Sequence, residues 1–325
     1  MRYRKLGKTG LDVSAIGFGC NQIGSDKNGY KDFTLAKDAV FIALDKGVNL
    51  FDTADVYGEK KSEEWLGRIL GAARSKVIIS TKAGLTGDGG RNGHPNHLRN
   101  SLENSLRRLK TDYVDIFFLH RPDPKIPLIE SIGGINKLIQ EGKARFGGVS
   151  QLDEKDLEIL KDSETISCVQ YCLNIFNFQT TYSVMPIVKE RNYGFLTYSP
   201  MSSGWILKDK YCSMARKRFP YVKPQYYRPE FPLFKAVVQA TEKYEINMHQ
   251  LAFGWVLSHQ DVHSVICGTS SCEQLLENIK AVDENIASDL IELINNIVQK
   301  YAVEKYRVRK LIWNIGTKIR KWVTV

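Results

Sequence analysis

The chain has 325 residues and a mass of 37.0 kDa, with 43% hydrophobic and 25% charged residues, a composition that excludes disordered and collagen-like classes. That length accommodates two average domains or one closed α/β barrel. The net charge of +10 does not indicate a nucleic-acid binder, because seven basic residues fall in 208–228 and seven in 305–321, and outside these clusters acids outnumber bases.

The opening RYRKLGKTGLDVSAIGFG predicts a small hairpin and then a buried strand over Ser14 to Gly19. It has no continuous apolar run and no small-residue cleavage pattern, so no signal peptide is expected. Gly7-Lys8-Thr9 is not a phosphate loop, since Arg2 stands where the earlier glycine is required.

From residue 33 onward, amphipathic stretches alternate with apolar runs ending in polar residues: VNLFD, VIIST, VDIFFLH, ARFGGVS, SCVQY, GFLTYS and VHSVICG. HLRNSLENSLRRLK, IESIGGINKLIQEGK and NMHQLAFGWVLSH read as intervening helices. With the first strand there are eight units, which predicts a single (β/α)8 TIM barrel over 1–285 with an N-terminal β-hairpin and a C-terminal helical extension over 286–325. A doubly wound sheet would carry a GxGxxG turn after its first strand, and Gly17, Gly19 and Gly24 are wrongly spaced for it.

The glycine-rich loop 84–93 reads as mobile, and the loop 199–230 carries the first basic cluster. Val308, Ile312, Ile315, Ile319 and Trp322 form one stripe of a basic helix in the tail. It suits packing across the barrel bottom, self-association, or lying on an anionic membrane surface. No run of about 18 apolar residues can span a bilayer, and a cytoplasmic protein is expected. The six cysteines form no CxxC pair and His94 and His97 lack companion ligands, so neither disulfides nor a metal are expected.

In a barrel, catalytic side chains project from the carboxyl ends of strands. Those ends carry Asp52, Lys82 and His120, with Tyr57 in the loop beyond Asp52. Carbonyl reduction by hydride transfer needs a proton for the oxygen, which a phenol supplies. Lys82 would lower the Tyr57 pKa, Asp52 would hold Lys82 charged, and His120 would hydrogen-bond the carbonyl oxygen. Taken singly, an Asp-Lys pair at strand ends is more often a structural ion pair, and a histidine near a core strand is usually packed and satisfied. The coincidence of four strand-end positions points to chemistry.

The stretches NLFDTADVYG, STKAG, DIFFLHRPD, ARFGGVS, LTYSPMSSG and VICGTSSCEQLLEN resemble the aldo-keto reductase family in order and spacing over residues 3–285. The resemblance implies a (β/α)8 barrel, a bound nicotinamide cofactor and a catalytic tetrad of Asp52, Tyr57, Lys82 and His120, with Tyr57 as proton donor. It also implies a cofactor path that begins at Gly19, Cys20 and Asn21 and passes Asp52. Ser150, Gln151 and Gln170 would meet the carboxamide, and Tyr198 would stack on the nicotinamide. The loop of Ser199, Pro200, Met201, Gly204 and Lys210 would clamp the pyrophosphate. Gly268, Thr269, Ser270 and Gln274 would receive phosphate at a helix start, and Glu277 and Asn278 would face adenine.

Three departures from the family pattern matter. Gln151 stands where Asn is usual, Cys267 replaces a common Pro, and no Arg or Lys precedes Lys280 in the phosphate segment. NADPH is expected, with NADH close behind. Histidine at 120, where family members that reduce alkenes tend to carry Glu, implies a carbonyl substrate. The cluster at 208–228 would screen cofactor phosphates or attract a phosphorylated or nucleotide-linked sugar. The remaining alternative is a cofactor-binding sensor or regulatory subunit on the same barrel. A metal-dependent lyase would need more ligands than Asp52 and His120.

Overall fold

The computed structural model describes residues 1–25, 29–204, 206 and 232–301. Lys210, the basic cluster and the tail beyond 301 lie outside the described residues. Strands β1 (Tyr3–Lys5) and β2 (Asp12–Ser14) pair antiparallel, with Tyr3 opposite Ser14 and Lys5 opposite Asp12. Eight parallel strands follow: β3 (Ile16–Gly19), β4 (Leu50–Asp52), β5 (Ile78–Ala83), β6 (Val114–Leu119), β7 (Ala144–Ser150), β8 (Ile166–Cys172), β9 (Gly194–Tyr198) and β10 (Ser264–Gly268). They pair in chain order and β10 closes on β3, forming a closed barrel.

The first barrel strand starts later than its apolar pattern suggests. Ser14 belongs to the hairpin, where its amide donates to Asn49 Oδ1 at 2.7 Å and its hydroxyl to the Ile16 carbonyl at 2.7 Å. These bonds turn the chain at Ala15 before β3 begins.

Successive strand residues face opposite sides, and the period sorts the barrel cleanly. Leu50, Ile78, Ile116, Phe118, Cys168, Leu196 and Ile266 form the interior cluster, and Leu6 and Val13 of the hairpin segment close its amino end. Their neighbours Phe51, Ile79, Phe117, Val149, Val169, Phe195 and Val265 face outward into the core shared with the helices. Gly148 sits opposite Phe118, and a Cβ there would lie 2.4 Å from the ring. The missing side chain makes room for the aromatic that fills the barrel.

The helices start where the sequence supplies caps. Asn247 and Gln250 form a capping box for Met248–Ser258, Pro95 opens Pro95–Leu109, and Ser271 caps Cys272–Asp283. The helix over 288–301 buries Leu290, Ile294 and Val298 in the main core. It is therefore packed on the barrel, although it lies beyond residue 285. Among the described residues, no helix is long and apolar enough to cross a membrane and no group of three or more His, Cys, Asp and Glu could hold a metal ion. The five described cysteines are free.

Loop 84–93, expected to be mobile, closes on itself. Thr86 N donates to Gly90 O at 3.0 Å, Asn92 N to Gly84 O at 3.0 Å, and Leu85 bridges Arg91. Asp88 receives the Gly90 amide and the Thr86 hydroxyl, which is the side-chain turn chemistry that glycine-rich segments use.

Candidate active site

The period that fills the interior with Leu50, Ile78 and Phe118 carries one step further to Asp52, Ser80, Lys82 and His120. Asp52 and Lys82 therefore meet inside the carboxyl end of the barrel. The Lys82 ammonium donates to Asp52 Oδ2 at 2.6 Å and to the Thr53 carbonyl at 2.8 Å. Its third proton is left for the Tyr57 hydroxyl, with which it also hydrogen-bonds. Asp52 Oδ1 accepts from Ser80 Oγ at 2.6 Å and from Gln170 Nε2 at 2.9 Å. Both oxygens of this buried carboxylate thus accept hydrogen bonds, two at Oδ1 and one at Oδ2.

The β4 ladder continues past Asp52, because Thr53 N donates to Ser80 O at 2.8 Å and Asp55 N to Lys82 O at 3.1 Å. That extension delivers Tyr57 over Lys82, whose Nζ lies 5.1 Å from the ring centroid. Gly58 turns the loop back at φ +54°, where a Cβ would stand 2.2 Å from the Ile23 carbonyl oxygen. His120 continues β6 through its amide, which donates to Ala83 O at 2.8 Å, and its ring meets Tyr57 edge-on at 5.7 Å between centroids. The four residues of the expected tetrad converge.

Burial disfavours the Lys82 ammonium, but Asp52 and Tyr57 together outweigh it and its pKa stands above the ordinary lysine value. Burial also pushes the Tyr57 phenol up, and the opposing Lys82 charge does not cancel that effect. Lys82 pulls the Tyr57 pKa down as expected, but desolvation is the larger effect, and the net direction is upward. Burial, reinforced by Lys82 and Arg121, holds the His120 pKa down at about 3. That direction keeps the imidazole neutral, and its buried Nδ1 has no partner among the described residues.

The residues of the expected cofactor path are distributed around the same mouth. Ser150 Oγ donates to Gln170 O at 3.1 Å, and Gln170 is tied to Asp52. Gln151, at φ +56°, donates its side-chain amide to the Tyr198 hydroxyl. Ser199 is also left-handed, and its carbonyl accepts from Asn174 Nδ2 at 2.9 Å. Pro200 and Met201 are buried, and Gly204 N closes a turn on Met201 O at 2.9 Å. Gly19 and Cys20 are buried while Asn21 is exposed.

At the phosphate segment, Thr269 Oγ1 lies 2.8 Å from the Tyr30 hydroxyl. Gln274 Oε1 accepts from the Ser270 amide at 3.0 Å and the Ser270 hydroxyl at 2.9 Å. Glu277 is exposed, with His249 at 3.9 Å. Asn278 is buried and donates to Cys267 Sγ at 3.1 Å. This bond explains the tolerated Cys267, which serves as acceptor in a dry pocket.

Several contributors escaped the sequence reading. Ser80 lies two residues before Lys82, so the strand period could have found it. Gln22 could not have been found locally: its buried Oε1 lacks a partner and lies against Gly268, at the meeting of the β3 and β10 ends. Behind the site, Glu63 is fully buried and accepts from Thr81 Oγ1 at 2.5 Å and from Arg108 Nη2 at 2.6 Å. Asp55 faces the same pair, and its carboxyl is raised to about 7 by burial and by Glu63.

The residues present fit a dinucleotide. Buried oxygens of Gln22 and Ser202 have no partner among the described residues, and the amino end of Cys272–Asp283 carries backbone amides that suit an anion.

A model described as the aldo/keto reductase family matches residues 15–299. A relative from Glycine max, named probable aldo-keto reductase 1, is 28% identical over 307 residues, covering 90% of this chain and 88% of its own. Among solved structures, the holo form of aldo-keto reductase AKR11C1 from Bacillus halodurans superposes with a TM-score of 0.78 at 25% identity, covering 91% of this chain and 96% of the other. A thermostable aldo-keto reductase solved with the inhibitor epalrestat shares the fold, with a TM-score of 0.74, 24% identity and coverage of 91% and 100%. The family match begins just before the first barrel strand and ends within the last described helix, so it spans the whole barrel, and the chain belongs to the aldo/keto reductase family of nicotinamide-dependent oxidoreductases.

Proposed function

We propose that this enzyme reduces an aldehyde or ketone to the alcohol, with Tyr57 as proton donor. The observation that carries the reading is the convergence of the Tyr57 ring with the buried Lys82–Asp52 pair and the His120 imidazole. When bound, a reduced nicotinamide would supply the hydride for the carbonyl carbon. Tyr57 gives its proton to the carbonyl oxygen, and the resulting phenolate is held by Lys82, whose own charge is fixed by Asp52. His120 hydrogen-bonds the same oxygen and orients it. With a pKa of about 3, it does so as a neutral group and does not compete as the acid.

NADPH is the proposed cofactor, following the family's general habit, with NADH accepted. Acceptance of NADH is supported by the lack of a cation among Thr269, Ser270, Ser271 and Gln274. The proposed partner is a small carbonyl molecule, with a sugar or its phosphorylated or nucleotide-linked form as the candidate class. The test is oxidation of each reduced cofactor against a carbonyl panel, with Tyr57→Phe run beside the wild type. Tyr57-dependent turnover is the expected result. Cofactor binding without any Tyr57-dependent oxidation would overturn the enzyme reading in favour of a cofactor sensor.

A further inference from the structure

Tyr57 reaches the site on a loop that is fastened to β5 on both sides. Before Tyr57 the fastening is backbone: Thr53 N donates to Ser80 O at 2.8 Å and Asp55 N to Lys82 O at 3.1 Å. After Tyr57 the chain leaves the ladder. Gly58, Glu59 and Lys60 are left-handed in succession, with φ of +54°, +54° and +78°. Glu59 and Lys60 carry side chains, and such a run persists only where its surroundings hold it.

The holding contacts come from the first turn of the helix Lys61–Leu70. Ser62 Oγ donates to Cys20 O at 2.8 Å and lies 2.9 Å from Thr53 Oγ1. Glu63 Oε1 accepts from Thr81 Oγ1 at 2.5 Å. The alternation that turns Lys82 into the barrel turns Thr81 outward, so Glu63 grips β5 at the residue next to Lys82. Arg108, on the helix Pro95–Leu109, fixes the other oxygen of Glu63 through Nε at 2.8 Å and Nη2 at 2.6 Å. An ion pair that only joined two helices would need Arg108 alone. The bond to Thr81 adds a tie to the strand, made by a fully buried carboxylate that has no water to turn to.

Tyr57 therefore lies between two ties to β5, at Asp55 and at Glu63. Lys82 Nζ has to meet Asp52, the Thr53 carbonyl and the Tyr57 hydroxyl together, which leaves little tolerance in where the loop sets the phenol. We infer that the Thr81–Glu63 bond sets the Tyr57 hydroxyl on the Lys82 ammonium, and that Glu63 is a positioning residue acting through Thr81. The inference rests on the reductase reading above and adds a positioning residue to it.

Three variants test it. Thr81→Val keeps the shape of the side chain and removes the hydroxyl. Glu63→Asp keeps the charge beside Arg108 and shortens its reach by one methylene. Thr81→Ser retains the donor. The first two should lower the single-turnover rate of reduced-cofactor oxidation by benzaldehyde or glyceraldehyde about 10- to 100-fold. The dissociation constant of the reduced cofactor should not change, and Thr81→Ser should keep most of the rate. The Cζ resonance of Tyr57, in protein labelled at that carbon and assigned by its loss in Tyr57→Phe, should shift in Thr81→Val and Glu63→Asp and hold its wild-type position in Thr81→Ser. Should Thr81→Val fail to fold, Glu63→Asp carries the same expectations. A lowered urea midpoint with rate and resonance unchanged makes the bond structural only and overturns the inference. A rate loss without the resonance shift, a shift without a rate loss, or a loss of cofactor affinity also overturns it. If the wild type reduces no carbonyl, the reductase reading fails by itself, and the resonance alone decides whether this contact places Tyr57.

Discussion

Lys82 and Asp52 form an ion pair of 2.6 Å with both side chains sealed from solvent. Removing one charge from such a pair leaves the other unpaired in a dry site, at a cost of about 3–5 kcal/mol. Lys82→Met should therefore lower the midpoint of urea unfolding as well as turnover. The double substitution Asp52→Asn/Lys82→Met should recover stability without recovering activity. Recovery of turnover in the double variant would remove Lys82 from the proton path.

Tyr57→Phe retains the ring that meets His120 and deletes only the hydroxyl. Turnover should fall by about a hundred- to ten-thousand-fold, with the dissociation constant of the reduced cofactor unchanged. A variant that keeps a tenth of the wild-type rate would require another proton donor.

The pH dependence of reduction should contain no histidine limb. His120 is neutral above about pH 3, and Tyr57 stays protonated beyond the ordinary tyrosine range of about 10. Between about pH 5 and about pH 8, kcat/KM should be flat as far as these two groups are concerned. A break near the free-imidazole value of about 6.5 that vanishes in His120→Gln would contradict this.

Asp55 has a folded-state pKa of about 7 against an ordinary 3.8. The native state therefore binds the additional proton between those values. Stability from this group is complete below about pH 4 and is lost as pH rises through about 7. Asp55→Asn imitates the protonated form, so it should gain on the order of 1 kcal/mol or more over the wild type at about pH 8 and little at about pH 4. An equal effect at both values would show that burial beside Glu63 does not govern this carboxyl.

Gly58→Ala places a methyl against the Ile23 carbonyl in a left-handed backbone. The loop must shift, at about 1–3 kcal/mol, and it carries Tyr57. Both the thermal midpoint and turnover should fall, with turnover falling further than in an exposed control such as Gly87→Ala, where a Cβ meets nothing.

Local alternation made the barrel legible. Eight apolar runs, six of them closed by a polar residue and two by glycine, correspond to eight strands. Because their period of two is fixed by backbone geometry, the sequence alone put Asp52, Lys82 and His120 on inward positions. It set the first strand too early, because Ser14 bonds to Asn49 across the chain, and it did not foresee the side-chain turn bonds within loop 84–93.

What the chain determined by itself is therefore the barrel, the family and the four candidate tetrad positions, all of which follow from short-range pattern and spacing. Tertiary structure decided how those four side chains meet and which way burial moves their titration. Desolvation and the distances among Asp52, Lys82, Tyr57 and His120 are sums over residues brought from distant strands. No local stretch of sequence encodes whether burial or the neighbouring ammonium governs Tyr57; the closed barrel settles it in favour of burial.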